Sequence, residues 1–119
     1  TIFNGADFSL GITDGTTAGT IMLDLNATGT TFANSFFSLG SGSALFAADN
    51  GVNGQELWIT DGTLGGTSLL KDINVGASNS APDGITALGN GNFVFSAITD
   101  AHGQELWITD GTALGTVLV

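Results

Sequence analysis

The side chains that could do chemistry return at a fixed interval. Glu56 and Glu105 each precede a tryptophan, Trp58 and Trp107, inside the stretch Gly-Gln-Glu-Leu-Trp-Ile-Thr-Asp-Gly-Thr. That stretch runs from Gly54 to Thr63 and recurs, letter for letter, from Gly103 to Thr112, 49 residues on. A carboxylate at this place could line a groove as a general acid, or hold a cation. It could also accept backbone N–H groups from a neighbouring loop. The second role is favoured, because an interlocking contact must recur in each copy whereas a catalytic acid need not.

Three further chemistries deserve the same weighing. Asp49, Asn50, Asn53 and Glu56 put several oxygen ligands within eight residues, and calcium takes six to eight oxygens. Asp49, Asn53 and Glu56 are therefore the candidate metal ligands. Against this, the D-x-D-x-D-G spacing is missing, and the matching loop from Thr99 to Gly103 keeps one acid, Asp100. Asp14, Asp61 and Asp110 all stand in Thr-Asp-Gly-Thr. Such a carboxylate bonds nearby backbone N–H groups, while Gly15, Gly62 and Gly111 take the positive φ of the turn. Thr63 and Thr112 are placed to close the loop through their hydroxyls. Trp58 and Trp107 could stack on a sugar, but apolar neighbours on a strand favour packing between sheets.

No nucleophile–histidine–acid set is present. His102 is the one histidine, it lies in a loop, and the chain has no cysteine. A hydrolase acting through Glu56 or Glu105 is the remaining enzymatic reading, and the residues favour a chain that is not an enzyme.

The elements that must position these residues are short strands. In the last repeat the strands are expected over 84–88, 92–98, 104–109 and 116–119, with Asn90-Gly91 as a hairpin turn. The middle repeat copies this order over 35–39, 44–48, 55–60 and 67–73. The first repeat is incomplete: its strands fall over 1–3, 8–13 and 21–25. Residues 1–25, 26–73 and 74–119 thus form three repeats of one array, about 11 strands long and cut at both ends. Leu57 and Ile59 should face one side of their strand and Trp58 the other. With large apolar groups on both sides, that sheet must pack between two neighbours. Four antiparallel strands per unit of about 49 residues describe β-propeller-like blades, about three of them, in an all-β fold.

Composition narrows the partners. Eleven acidic residues face one base, Lys71, for a net charge of −10. That field disfavours nucleic acid and anionic membrane surfaces, and no apolar run is long enough to span a bilayer. The absence of cysteine removes disulfide frameworks and thiolate metal sites. Little Lys or Arg, with abundant Gly, Thr, Asn and Asp, resembles by compositional analogy exported bacterial surface proteins.

The repeated stretch resembles a bacterial repeat family whose core reads E-L-W-x-x-D-G-T. Here the core is Glu56 to Thr63, followed by Gly66-Thr67 and by Leu69-Leu70-Lys71-Asp72-Ile73, similar to the family's L-V-K-D-I strand. Leu45 to Gly51 is similar to its F-A-A-D-D-G segment. The last repeat matches through Thr116. The first keeps Asp14-Gly15-Thr16 and Gly19-Thr20, with Gly11 where tryptophan should stand. The resemblance implies propeller blades of large exported proteins, extracellular or at the cell surface, and no activity of the repeat itself.

The function expected is a non-catalytic structural or adhesive module. Its partners would be further copies of itself, or the remainder of a larger repeat protein. The alternative is a propeller that binds a glycan or protein ligand at its loops. No cofactor is expected, calcium being the one candidate.

Overall fold

The computed structural model describes residues 2–4, 10–26, 29 and 31–119. Thr1, Phe8 and Ser9, which the sequence reading placed on strands, lie outside the described residues. All regular structure among the described residues is β. The strands are β1 (Ile2–Asn4), β2 (Leu10–Thr13), β3 (Thr20–Leu23), β4 (Asn34–Ser38), β5 (Ala44–Asp49) and β6 (Gln55–Thr60). They continue as β7 (Ser68–Lys71), β8 (Asp83–Ala87), β9 (Phe93–Thr99), β10 (Gly103–Thr109) and β11 (Val117–Leu118). The expected strands therefore stand, with ends moved by a few residues. β7 stops at Lys71 rather than 73, because Ile73 and Asn74 leave the ladder to bond a side chain instead.

The strands form three antiparallel sheets, each a meander: β1-β2-β3, β4-β5-β6-β7 and β8-β9-β10-β11. Tight turns between sequence neighbours make this order the natural one, since an antiparallel pair needs only a short connection. At one position the four-stranded sheets share a fault in register. The β4–β5 ladder shifts between Asn34 and Phe37, and the β8–β9 ladder between Asp83 and Thr86. Ser35 and Gly84 occupy that bulge with φ of 55° and 66°. A bulge carries one residue out of the pairing and sharpens the local twist.

Alternation along the strands builds two cores, one on either face of the middle sheet. Leu10, Ile12 and Leu23 of the first sheet meet Phe46, Ala48 and Trp58. Leu45, Leu57, Leu70 and Ile73 meet Phe95, Ala97 and Trp107 of the third sheet. Leu57 and Trp58 thus point to opposite cores, as their adjacency on a strand requires. β5 lies between both cores, and Leu45, Phe46, Ala47 and Ala48 are all fully buried. The outward faces of the end sheets are another matter. Leu106, which holds in the third sheet the place of Leu57, is 50% exposed, whereas Leu57 is 0% exposed.

Candidate functional site

Glu56 is fully buried and is the most heavily bonded side chain of the repeated stretch. Its Oε2 accepts from the backbone N–H of Ile73 at 2.7 Å and of Asn74 at 3.3 Å, and from Ser80 Oγ–H at 2.7 Å. Its Oε1 accepts from the Ser80 N–H at 3.1 Å. All four donors belong to the segment that crosses from the second sheet to the third. A strand end has aimed a carboxylate into a loop whose N–H groups would otherwise be orphaned inside the protein. Burial pushes the Glu56 carboxyl up to about 7; the bonds from Ser80, Ile73 and Asn74 pull the other way, and nearby Asp72 adds to the rise.

Gly54 belongs to the same junction. Its φ is +74°, and a Cβ there would sit 2.7 Å from Ser78 O, 2.8 Å from Ala77 O and 2.7 Å from Asn79 Oδ1. Glycine is needed because the crossover's backbone lies against it. Gln55 N–H donates to Asn79 Oδ1 at 2.7 Å, and Ser80 N–H is shared with Gln55 O at 2.9 Å. The opening Gly-Gln-Glu of the repeated stretch is a clamp on the crossover.

The same three residues in the third sheet clamp nothing. Glu105 and Gln104 are exposed, and a Cβ on Gly103, whose φ is +72°, would meet no atom within 4 Å. One repeat on from Ile73, Asn74 and Ser80 lies past Val119. The sequence reading gave Glu56 and Glu105 one role, and in this structure only Glu56 has its donors.

The three Thr-Asp-Gly-Thr turns are superposable in their bonding. Asp61 Oδ1 accepts from Thr63 N–H at 2.9 Å and from Thr63 Oγ1–H at 2.6 Å, and Thr63 Oγ1 accepts from Gly66 N–H at 3.0 Å. Asp14 with Thr16 and Asp110 with Thr112 repeat these bonds to the tenth of an ångström or nearly so. The Thr60 and Thr67 hydroxyls meet at 2.6 Å across the turn's mouth. The three carboxyls have their pKa lowered, first by the threonine hydroxyl and then by the threonine N–H. Gly66 is glycine because a Cβ there would land on the Asp61 carboxylate, and Gly19 and Gly115 stand likewise against Asp14 and Asp110. These aspartates hold turns.

The candidate calcium ligands are engaged with protein groups. Asp49 Oδ1 accepts from Gly51 N–H at 2.7 Å. Asn53 Oδ1 accepts from Asn50 Nδ2 at 2.8 Å, and Asn53 Nδ2 donates to Asp72 Oδ2 at 3.0 Å. Both Glu56 oxygens face N–H and O–H donors. Among the described residues no three acids or histidines are grouped to hold a metal ion. His102 is exposed, its N–H bonded to Thr99 Oγ1 at 3.1 Å.

The tryptophans are packed between sheets, 7% and 8% exposed. Trp58 Nε1–H donates to Ala48 O at 3.1 Å. Trp107 Nε1 has no partner among the described residues, and Trp107 lines an open cavity of about 410 Å³ with Asn74, Val75, Asp100, His102 and Leu118. The residues that sequence reading missed, Asn74 and Ser80, are on the crossover, and Asn74 meets Asp100 of the β9–β10 loop. Asn74 Nδ2 donates to Asp100 Oδ1 at 3.2 Å, and Asp100 N–H returns a bond to Asn74 Oδ1 at 3.1 Å. The signal available was Asp72-Ile73-Asn74, which echoes Asp24-Leu25-Asn26 at the earlier crossover.

No protein-family model, curated protein or solved structure matches this chain.

Proposed function

We propose that this chain is a non-catalytic structural module of an exported bacterial surface protein, its sheets serving as propeller-like blades completed by units of the same kind. The observation that carries this reading is the use made of the repeated residues. Glu56 and Gly54 clamp a crossover, Asp14, Asp61 and Asp110 hold turns, and Trp58 and Trp107 fill the space between sheets. Residues so committed serve the fold. The outer faces, with Met22 48% and Leu106 50% exposed, are apolar surface of the sort that associates. The bacterial surface location rests on composition and on the likeness of Glu56 to Thr63 to the E-L-W-x-x-D-G-T core.

The test is the native mass of the purified chain in a calcium chelator. A discrete oligomer or a ladder of assemblies is expected. A compact, stable monomer near 11.9 kDa would sink the reading. A second reading, ligand binding at the loops, is favoured by the unpartnered Trp107 indole N–H beside the cavity. Retention on an immobilised glycan that Trp107→Phe abolishes would favour it over the first.

A further inference from the structure

The clamp and the apolar face of the third sheet lie beside each other on the repeat, and both are open. In the second sheet their counterparts are filled: Glu56 holds four hydrogen bonds from the crossover, Gly54 carries that crossover's backbone, and Leu45 and Leu57 lie under the third sheet's Phe95 and Trp107. In the third sheet Glu105 is exposed, Gly103 has empty space, and Leu106 is 50% exposed. The residues are identical, from Gly103 to Thr112, to those of the filled copy.

We infer that the outer face of the third sheet, with the Gly103-Gln104-Glu105 clamp beside it, is the docking site for a further unit of this same motif that brings its leading crossover segment. This rests on the structural-module reading and names the partner of one face. The face alone would accept many apolar surfaces. The clamp is what selects, because it asks for main-chain N–H groups presented as Ile73, Asn74 and Ser80 present theirs, and for a backbone that can lie against a glycine. A second copy of the described chain meets only half of this demand. Of its two crossovers, the second already gives its Ser80 N–H to Glu56, and the first is tied to its own second sheet, where Thr31 O accepts from Asp49 N–H. Its first sheet could cover Leu106 but would leave Glu105 without donors.

The chain itself supplies the probe. Val119 stands one repeat after Leu70, since Leu118 pairs with Trp107 as Leu69 pairs with Trp58. Residues 71–119 placed a second time after Val119 therefore continue the array in phase. Glu105→Ala is made in the 119-residue chain and in the extended chain, and urea unfolding is followed in both. The expected result is a silent substitution in the first and, in the second, a loss of unfolding midpoint comparable to that of Glu56→Ala. Amide exchange at Leu106 should slow in the extended chain. The inference is overturned if the added unit stays unfolded, or if it folds while Glu105→Ala remains silent. It is also overturned if the 119-residue chain forms a dimer that both Leu106→Asp and Glu105→Ala dissociate, for then a second copy is the occupant of face and clamp together. That last result would leave the structural-module reading standing.

Discussion

Replacing Glu56 by alanine should cost far more than replacing Glu105, although the two residues stand in the same ten-residue stretch. The magnitude follows from the donors left behind. Ser80 can turn to Gln55 O, which already receives its N–H at 2.9 Å and its hydroxyl at 3.2 Å. The N–H groups of Ile73 and Asn74 have no such second acceptor among the described residues, and both residues are buried. A buried donor left unpaired costs about 1–3 kcal/mol, so two cost roughly 2–6 kcal/mol. Removing a carboxyl that burial disfavours returns part of this, leaving a net loss of about 2–4 kcal/mol. Against a total stability of about 5–15 kcal/mol for an ordinary domain, that is a large fraction, and the melting midpoint should fall by roughly 10 °C. Thermal unfolding followed by tryptophan fluorescence and far-UV circular dichroism measures it. Glu105→Ala should leave the midpoint of the 119-residue chain unchanged. Equal losses for the two variants, or none for either, would refute the clamp as the reason for the glutamate.

Three more outcomes test the remaining parts. The folded pKa of Glu56, near 7, lies above its ordinary 4.5; its titration therefore favours the folded state fully below pH 4.5, and that contribution is lost as pH rises through 7. The stability deficit of Glu56→Ala should accordingly narrow between pH 4.5 and 7, by up to about 3 kcal/mol; a deficit that widens over this range would reverse the assignment of burial as the dominant cause. Asp14, Asp61 and Asp110 have lowered values, so their contribution is present above pH 3.8 and is lost as pH falls through their folded pKa. Asp61→Ala should speed amide exchange at Thr63 and Gly66 at neutral pH, and unchanged exchange would show the turn to be held by backbone alone. Gly54→Ala should destabilise by about 2 kcal/mol or more, because left-handed strain adds to a clash with two carbonyls, while Gly103→Ala should show only the strain, about 1 kcal/mol; urea midpoints for the pair decide it.

Strand order was legible because two local signals agree. Asn90-Gly91 and the Asp-Gly pairs mark turns, and Leu57, Trp58 and Ile59 alternate between apolar faces. The bulge at Ser35 was not legible. Serine is a poor residue for φ of 55°, and only the alignment of Ser35 with Gly84 hints at it. The turn role of Asp61 was legible for the reason that makes such turns reliable: every bond it makes is within six residues. The calcium reading of Asp49, Asn53 and Glu56 counted oxygens along the chain, and the fold turned Glu56 inward while Asp49 bonded its own loop and Asn53 both its loop and Asp72.

Local chemistry is thus what this sequence determined alone: repeat length, strands, turns, and the aspartate–threonine loops that close them. Their partners lie a few residues away, where chain connectivity already supplies the proximity. The tertiary structure decided which of two identical glutamates is a clamp. Glu56 and Glu105 have the same neighbours in sequence, and the difference between them is a segment 17 to 24 residues further along the chain that reaches only the first. Whether a carboxylate is buried and bonded or open to solvent depends on what folds back over it, and no short stretch of sequence carries that information.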